Sequence, residues 1–230
     1  MTVNHTLSRL DSLPSPLELG QGARIWLIER LLGPSATALF NTLCNELPWE
    51  QPRVQVFGRS HPVPRLVCWL GDAGVTYRYS GLTHRAGGWP DPLMALRCAV
   101  TSLTGLTPNG ALANLYRDGD DTMGWHRDNE PELGSAPWII SYNLGATRDF
   151  CLRRHGEHRQ SHRLPLSHDS LLIMSPQVQR FYEHALPRRR RVREPRVNLT
   201  FRHIVTGTMG VPGQKPGAFN RKTGSSSESP

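Results

Sequence analysis

The chain has 230 residues, 37% of them hydrophobic, a formal net charge of +8 and a pI near 9.9. That composition suits one globular domain, and the lack of any apolar run of roughly 18 residues excludes a helical membrane span. Cys44, Cys68, Cys98 and Cys151 are scattered without a Cys-x-x-Cys pair, which argues against a structural zinc site and implies no disulfides.

In chain order, residues 1–22 mix Ser, Pro, Leu and Gly without period and are expected to form an arm. Ala36, Leu39, Phe40, Leu43, Cys44 and Leu47 recur at helical spacing, so an amphipathic helix is expected after Pro34-Ser35. Runs 53–57 and 63–70 predict a hairpin around Gly58-Arg59-Ser60. Leu93, Leu96, Val100 and Leu103 predict a second helix behind Pro90-Asp91-Pro92. Strand-like runs follow at 110–117, 138–144, 148–153, 162–166, 170–174, 178–184 and 196–204. Many short strands after a helical lead predict an α+β fold with a double-stranded β-helix, or jelly-roll, core. One domain is expected over 23–206. The Gly-, Pro- and Ser-rich residues 207–230 cannot bury enough apolar surface to order themselves and are expected to be a disordered tail.

A net positive charge of this size favours a polyanionic partner, nucleic acid first. Arginine supplies all but two of the 27 basic residues, the exceptions being Lys215 and Lys222. Guanidinium groups suit bidentate contacts to phosphate or carboxylate. No secretory leader pattern opens the chain, so a reducing compartment is expected: a bacterial cytoplasm, or a nucleus in a eukaryote. A monomer is expected, and no membrane partner.

His126 and Asp128 are two residues apart, a spacing that puts both side chains on one face of an extended chain. Joined by His184, they make a two-histidine, one-carboxylate set that holds iron(II) and leaves positions open. Alone, the pair reads equally as a polar turn before Asn129-Glu130-Pro131. His155, His158 and His162 form a rival cluster, but its arginines disfavour a divalent cation. His168-Asp169 reads as a turn.

Arg196, Asn198, Thr200 and Arg202 alternate with Val197, Leu199 and Phe201, which places four polar groups on one strand face. Six strand steps span about 20 Å. Two arginines reaching inward by about 6–7 Å each leave a gap on the order of 6–8 Å, which fits a five-carbon dicarboxylate such as 2-oxoglutarate. One carboxylate would pair with Arg196, and the other end would meet the iron near Arg202. Asn114 and Tyr116, also two apart, could hydrogen-bond the same ligand or simply form an exposed strand face.

Taken together, Asn114-Leu115-Tyr116, the segment Met123-Gly124-Trp125-His126-Arg127-Asp128-Asn129-Glu130, Arg148-Asp149-Phe150, His184 and the 196–202 strand resemble the AlkB-type iron(II)/2-oxoglutarate dioxygenases that repair alkylated nucleic acid. The resemblance runs from about residue 53 to 204 and is greatest to the branch acting on duplex DNA. It implies iron(II) on His126, Asp128 and His184, with O2 and 2-oxoglutarate as co-substrates. Asn114, Tyr116, Arg196, Asn198, Thr200 and Arg202 would hold the 2-oxoglutarate. It also implies a β-hairpin lid over residues 53–82. Val56, Phe57 and Gly58 would form a finger whose aromatic ring enters the base stack. Tyr79 would stack on the flipped base opposite His126, with Tyr77 bonding nearby. Asn129 stands where that branch carries Asp, and Tyr79 where it carries Phe.

By the same resemblance, Glu130 would read the cationic 1-methyladenine or 3-methylcytosine, and Arg189, Arg190 and Arg191 would grip the opposite strand. The implied reaction is oxidative demethylation of DNA that releases formaldehyde, succinate and CO2. Action on RNA or single strands, or a non-catalytic nucleic-acid-binding role, are the alternatives.

Overall fold

The computed structural model describes residues 9–56, 58–79 and 82–205. Side chains at 56, 78, 79 and 82–84 are outside that description, as is the 207–230 tail. The strands are β1 (Leu17–Gly20), β2 (Ala23–Ile28), β3 (Arg53–Val56), β4 (Arg59–Pro62), β5 (Leu66–Gly71), β6 (Thr76–Tyr79), β7 (Leu82–Arg85) and β8 (Gly110–Tyr116), then β9 (Met123–His126), β10 (Ile139–Gly145), β11 (Arg148–Arg154), β12 (His162–Leu166), β13 (Ser170–Met174), β14 (Tyr182–Leu186) and β15 (Arg196–Arg202). The helices are α1 (Ser35–Glu46), α2 (Asp91–Thr104) and α3 (Pro176–Phe181).

A seven-stranded antiparallel sheet, in the order β1-β2-β13-β10-β15-β8-β5, faces a four-stranded sheet in the order β12-β11-β14-β9. This is the double-stranded β-helix. α1 and α2 cover the outer face of the larger sheet. Leu39, Leu43, Leu93, Leu96 and Val100 pack there with Ala111, Ala113, Val197, Leu199 and Phe201. A second core lies between the sheets, where Ile25, Leu172 and Met174 meet Phe150, Leu152 and Leu166. The period-two alternation of β15 follows: apolar residues face the helices, so the polar ones face the gap between the sheets.

Both helices lie where their stripes predicted. α2 opens on prolines, which have no amide proton to leave unpaired. It ends at Gly105, whose φ of 72° closes the helix while its amide donates to Thr101 O. No helix among the described residues is long and apolar enough to cross a membrane.

Three local expectations are corrected. β3 pairs with β4, not with 63–70, and β5 instead joins the large sheet beside β8. Leu66, Val67, Cys68, Trp69 and Leu70 are apolar on both faces, which suits an inner sheet better than a surface hairpin. Residues 53–85 therefore hold two hairpins, β3–β4 and β6–β7, flanking a core strand. Residues 178–184 are not one strand: α3 occupies their first part, started by Pro176, and β14 begins at Tyr182. Val178, Phe181 and Tyr182 recur three and four apart, a spacing that fits one helical turn as well as a strand. Finally, the described part of 1–22 belongs to the globular domain, because Leu10 is buried and β1 pairs with β2.

A two-histidine, one-carboxylate centre between the sheets

The metal candidates come from the small sheet and the loop beside it. His126 ends β9 and pairs in register with His184 of β14. Asp128 lies two residues past His126, in the loop that follows β9. That loop is held by the Asp128 amide, which donates to Gln179 Oε1 on α3 at 2.9 Å. One ligand atom from each of the three side chains lies within 4.8 Å of the others. No other such cluster of three occurs among the described residues. His155 instead pairs with Glu183 and His162 with Ser161.

The centre is arranged as a ligand set. His126 Nδ1 lies 2.9 Å from Gly124 O, and donation there leaves Nε2 as the free donor atom. Burial and the neighbouring His184 lower the His126 pKa to about 3, so its ring is neutral near pH 7 and able to ligate. Burial pushes the Asp128 carboxyl up, but Arg202 and His184 outweigh it and hold the carboxyl well below the usual range. Arg202 donates to Asp128 Oδ1, while His184 Nε2 stands 3.4 Å from Oδ2. Phe150 stacks on the His184 ring at 5.1 Å.

Cross-strand register builds the rest of the pocket. Tyr116 faces Arg196, and Asn198 lies between Asn114 and Asn143. Thr200 lies between Leu112 and Ser141. Asn114, Tyr116, Ser141, Arg196, Asn198, Thr200 and Arg202 therefore line one cavity with the metal candidates, between the two sheets. Arg196 donates to Asn143 Oδ1 and lies 5.1 Å from the Tyr116 ring, but no carboxylate neutralises it among the described residues. Burial lowers its pKa to about 10. Its Nε is buried without a hydrogen-bond partner, as are Nε and Nη1 of Arg202. An anionic ligand of the 2-oxoglutarate kind fits those unmet donors.

The two arginines differ in a way their spacing concealed. Arg202 is bound to Asp128, one of the three candidate ligands, whereas no carboxylate pairs with Arg196 among the described residues. Four polar residues escaped the sequence reading: Arg65, Ser141, Asn143 and Gln179. Ser141 and Asn143 carry the same period-two signal on β10 as the 196–202 strand. Arg65 carries no such pattern; it donates to Asn114 Oδ1 at 2.9 Å.

The other candidate residues belong to the β3–β4 hairpin, β6, the loop after β9 and the segment after β14. Tyr77 is buried, stacks on Trp69 at 4.6 Å and donates to Glu130 Oε1 at 2.7 Å. Glu130 Oε2 is buried without a partner. Asn129 is exposed. Gly58 turns the β3–β4 hairpin at a φ of 76°. Phe57 lies outside the described residues, and so do the side chains of Val56 and Tyr79. Arg189 is held by Asp149 at 2.7 Å, while Arg190 and Arg191 are exposed.

A sequence profile described as the 2OG-Fe(II) oxygenase superfamily matches residues 25–202. The chain belongs to that superfamily. Iron(II), 2-oxoglutarate and O2 are accordingly the reagents of this dioxygenase, and the triad and Arg196 suit them. The dioxygenase is AlkB-type. It is 46% identical over 161 residues to the mouse protein named DNA oxidative demethylase ALKBH2, covering 66% of this chain and 67% of that one. It is 46% identical over 160 residues to the human protein of the same name, covering 66% and 61%. With the rat alpha-ketoglutarate-dependent dioxygenase alkB homolog 3 it shares 36% over 216 residues, covering 90% and 68%. The chain thus spans roughly two thirds, or somewhat less, of these relatives' lengths. A solved structure described as "The structure of OsALKBH1" superposes with a TM-score of 0.57 at 16% identity, covering 82% of this chain and 99% of that one. That likeness concerns the fold alone.

Proposed function

We propose that this dioxygenase demethylates N-alkylated bases, 1-methyladenine and 3-methylcytosine, in duplex DNA. The observation that carries the proposal is the Glu130 carboxylate, two residues beyond Asp128, fixed through one oxygen by Tyr77 and unpartnered at the other. Both lesions are cationic, and a poorly solvated carboxylate favours them over neutral bases. The 46% identity to proteins named DNA oxidative demethylase supports the same substrate class. The net charge of +8 supports a polyanionic partner.

In this reading His126, Asp128 and His184 hold iron(II), and Arg196 with Asn114, Tyr116, Asn198 and Thr200 holds the co-substrate. Iron with 2-oxoglutarate and oxygen supplies hydroxylation of the N-methyl group, after which the base loses formaldehyde. Arg202 keeps Asp128 ionised and aimed at the metal. Tyr77 orients Glu130 toward the base. Extruding a base costs a few kcal/mol, less for a lesion that cannot pair. The β3–β4 hairpin, with Phe57 as wedge, would fill the gap, and Tyr79 would stack on the extruded ring. Arg189, Arg190 and Arg191 would grip the opposite strand, with Asn129 near the lesion. The domain read from the sequence as 23–206, joined by the described residues before it, carries the chemistry.

The test is formaldehyde release from methylated oligonucleotides, duplex and single-stranded, with and without iron(II). Turnover faster on the duplex is expected. Equal or faster turnover on single strands would remove the duplex assignment, and no succinate from any methylated DNA would remove the reaction.

A further inference from the structure

The outer face of the four-stranded sheet, turned away from the cavity, carries a second arrangement. Trp125 immediately precedes His126 on β9, and Glu183 immediately precedes His184 on β14. Alternation along a strand sends each to the opposite face from its histidine. Arg153 of β11 lies directly across from Glu183 in register. Its Nε donates to Glu183 Oε2 at 2.7 Å, and its Nη2 lies 2.6 Å from the same oxygen. Its guanidinium carbon stands 4.4 Å from the centre of the Trp125 ring. His155 Nδ1 completes the group at 3.0 Å from Glu183 Oε1. One arginine thus spans the three strands β9, β14 and β11.

β9 needs such a brace. It is an edge strand of four residues, matched to β14 only at His126 and Met123, with an irregularity between the two matches. Backbone pairing alone leaves such an edge free to fray. The Arg153 and Glu183 side chains are only 18% and 17% exposed, so their ion pair is shielded from solvent more than a surface pair. A cation on an indole face adds attraction that does not depend on the backbone ladder.

We propose that Trp125, Arg153 and Glu183 form a positioning clamp that holds β9 against β14 and so sets the separation of His126 and His184 for metal retention. None of the three is a catalytic residue, since they act through the strands. The proposal rests on the reading of His126, Asp128 and His184 as the metal site.

Cobalt(II) binding to the metal-free protein, followed by absorption under chelator competition, tests it without turnover. Wild type should bind. Arg153→Ala and Trp125→Ala should each bind about tenfold more weakly, as outer supports of metal ligands do. Trp125→Phe, which keeps a ring under the guanidinium, should restore wild-type affinity. Arg163→Ala, on the same sheet but 63% exposed, should leave affinity unchanged. Unchanged affinity in both alanine variants of the clamp, or an equal loss in Trp125→Phe or Arg163→Ala, overturns the clamp alone. Failure of the wild type to bind cobalt overturns the metal site itself and the clamp with it.

Discussion

At the scale of single residues, the two buried arginines of β15 illustrate how surroundings assign roles to identical side chains. Arg202 finds Asp128, a candidate metal ligand; Arg196 finds Asn143 and Tyr116 and, among the described residues, no carboxylate. Replacing Arg196 with Ala should therefore raise the KM for 2-oxoglutarate by about 10- to 100-fold, the equivalent of one charge-assisted hydrogen bond of about 1.5–3 kcal/mol. DNA affinity, measured by fluorescence anisotropy, should stay unchanged. The reverse pattern would assign this polar face to DNA. His184→Ala should abolish succinate production while the circular dichroism spectrum persists, and full activity would remove His184 from the triad. Glu130→Gln should narrow the rate advantage of a cationic methylated base over a neutral etheno lesion, measured on matched duplexes. The close spacing of His126 and Asp128 and the alternation of β15 were legible in the sequence, because each is a local pattern; the meeting with His184 needed the pairing of β9 with β14.

At the scale of elements, β15 joins the two halves of the fold: one face packs on the helices and the other lines the cavity. Leu199, fully buried on the helix side, can be cut to Ala at a cost of about 2–5 kcal/mol, read by urea unfolding. The folded fraction should keep its 2-oxoglutarate KM, because the deleted atoms face away from the cavity. The basic segment after β14 docks on the loop after β8 through paired backbone bonds between Gly119 and residues Val192 and Arg189. A Cβ at Gly119 would lie 1.8 Å from Arg189 O, so Gly119→Ala must displace that segment. Weaker duplex binding with near-normal turnover of a methylated trinucleotide is the expected result. α1, α2 and most strands were legible in the pattern. α3 and the β5 assignment were not: the mixed run 178–184 and the apolar run 66–70 each fit more than one element, and only their packing partners choose.

At the scale of the whole molecule, charge and topology act together. Exposed Arg190 and Arg191 should contribute to duplex affinity through counterion release. Changing each to Ala should flatten the plot of log K against log salt by about 0.9 for every phosphate left without its arginine. An unaltered slope in the double variant would place the DNA elsewhere on the surface. The sequence by itself determined the kinds of atoms available: three metal donors in order, a strand with one charged face, and a strongly cationic chain. It could do so because side-chain type and strand period are local properties. Only the tertiary structure decided which donors meet, that Arg202 serves Asp128 while Arg196 serves the cavity, that Arg65, Asn143 and Gln179 support the site, and that Trp125, Arg153 and Glu183 stand behind it. Those contacts join residues tens of positions apart across two sheets, and their register is chosen by core packing, which no local pattern encodes.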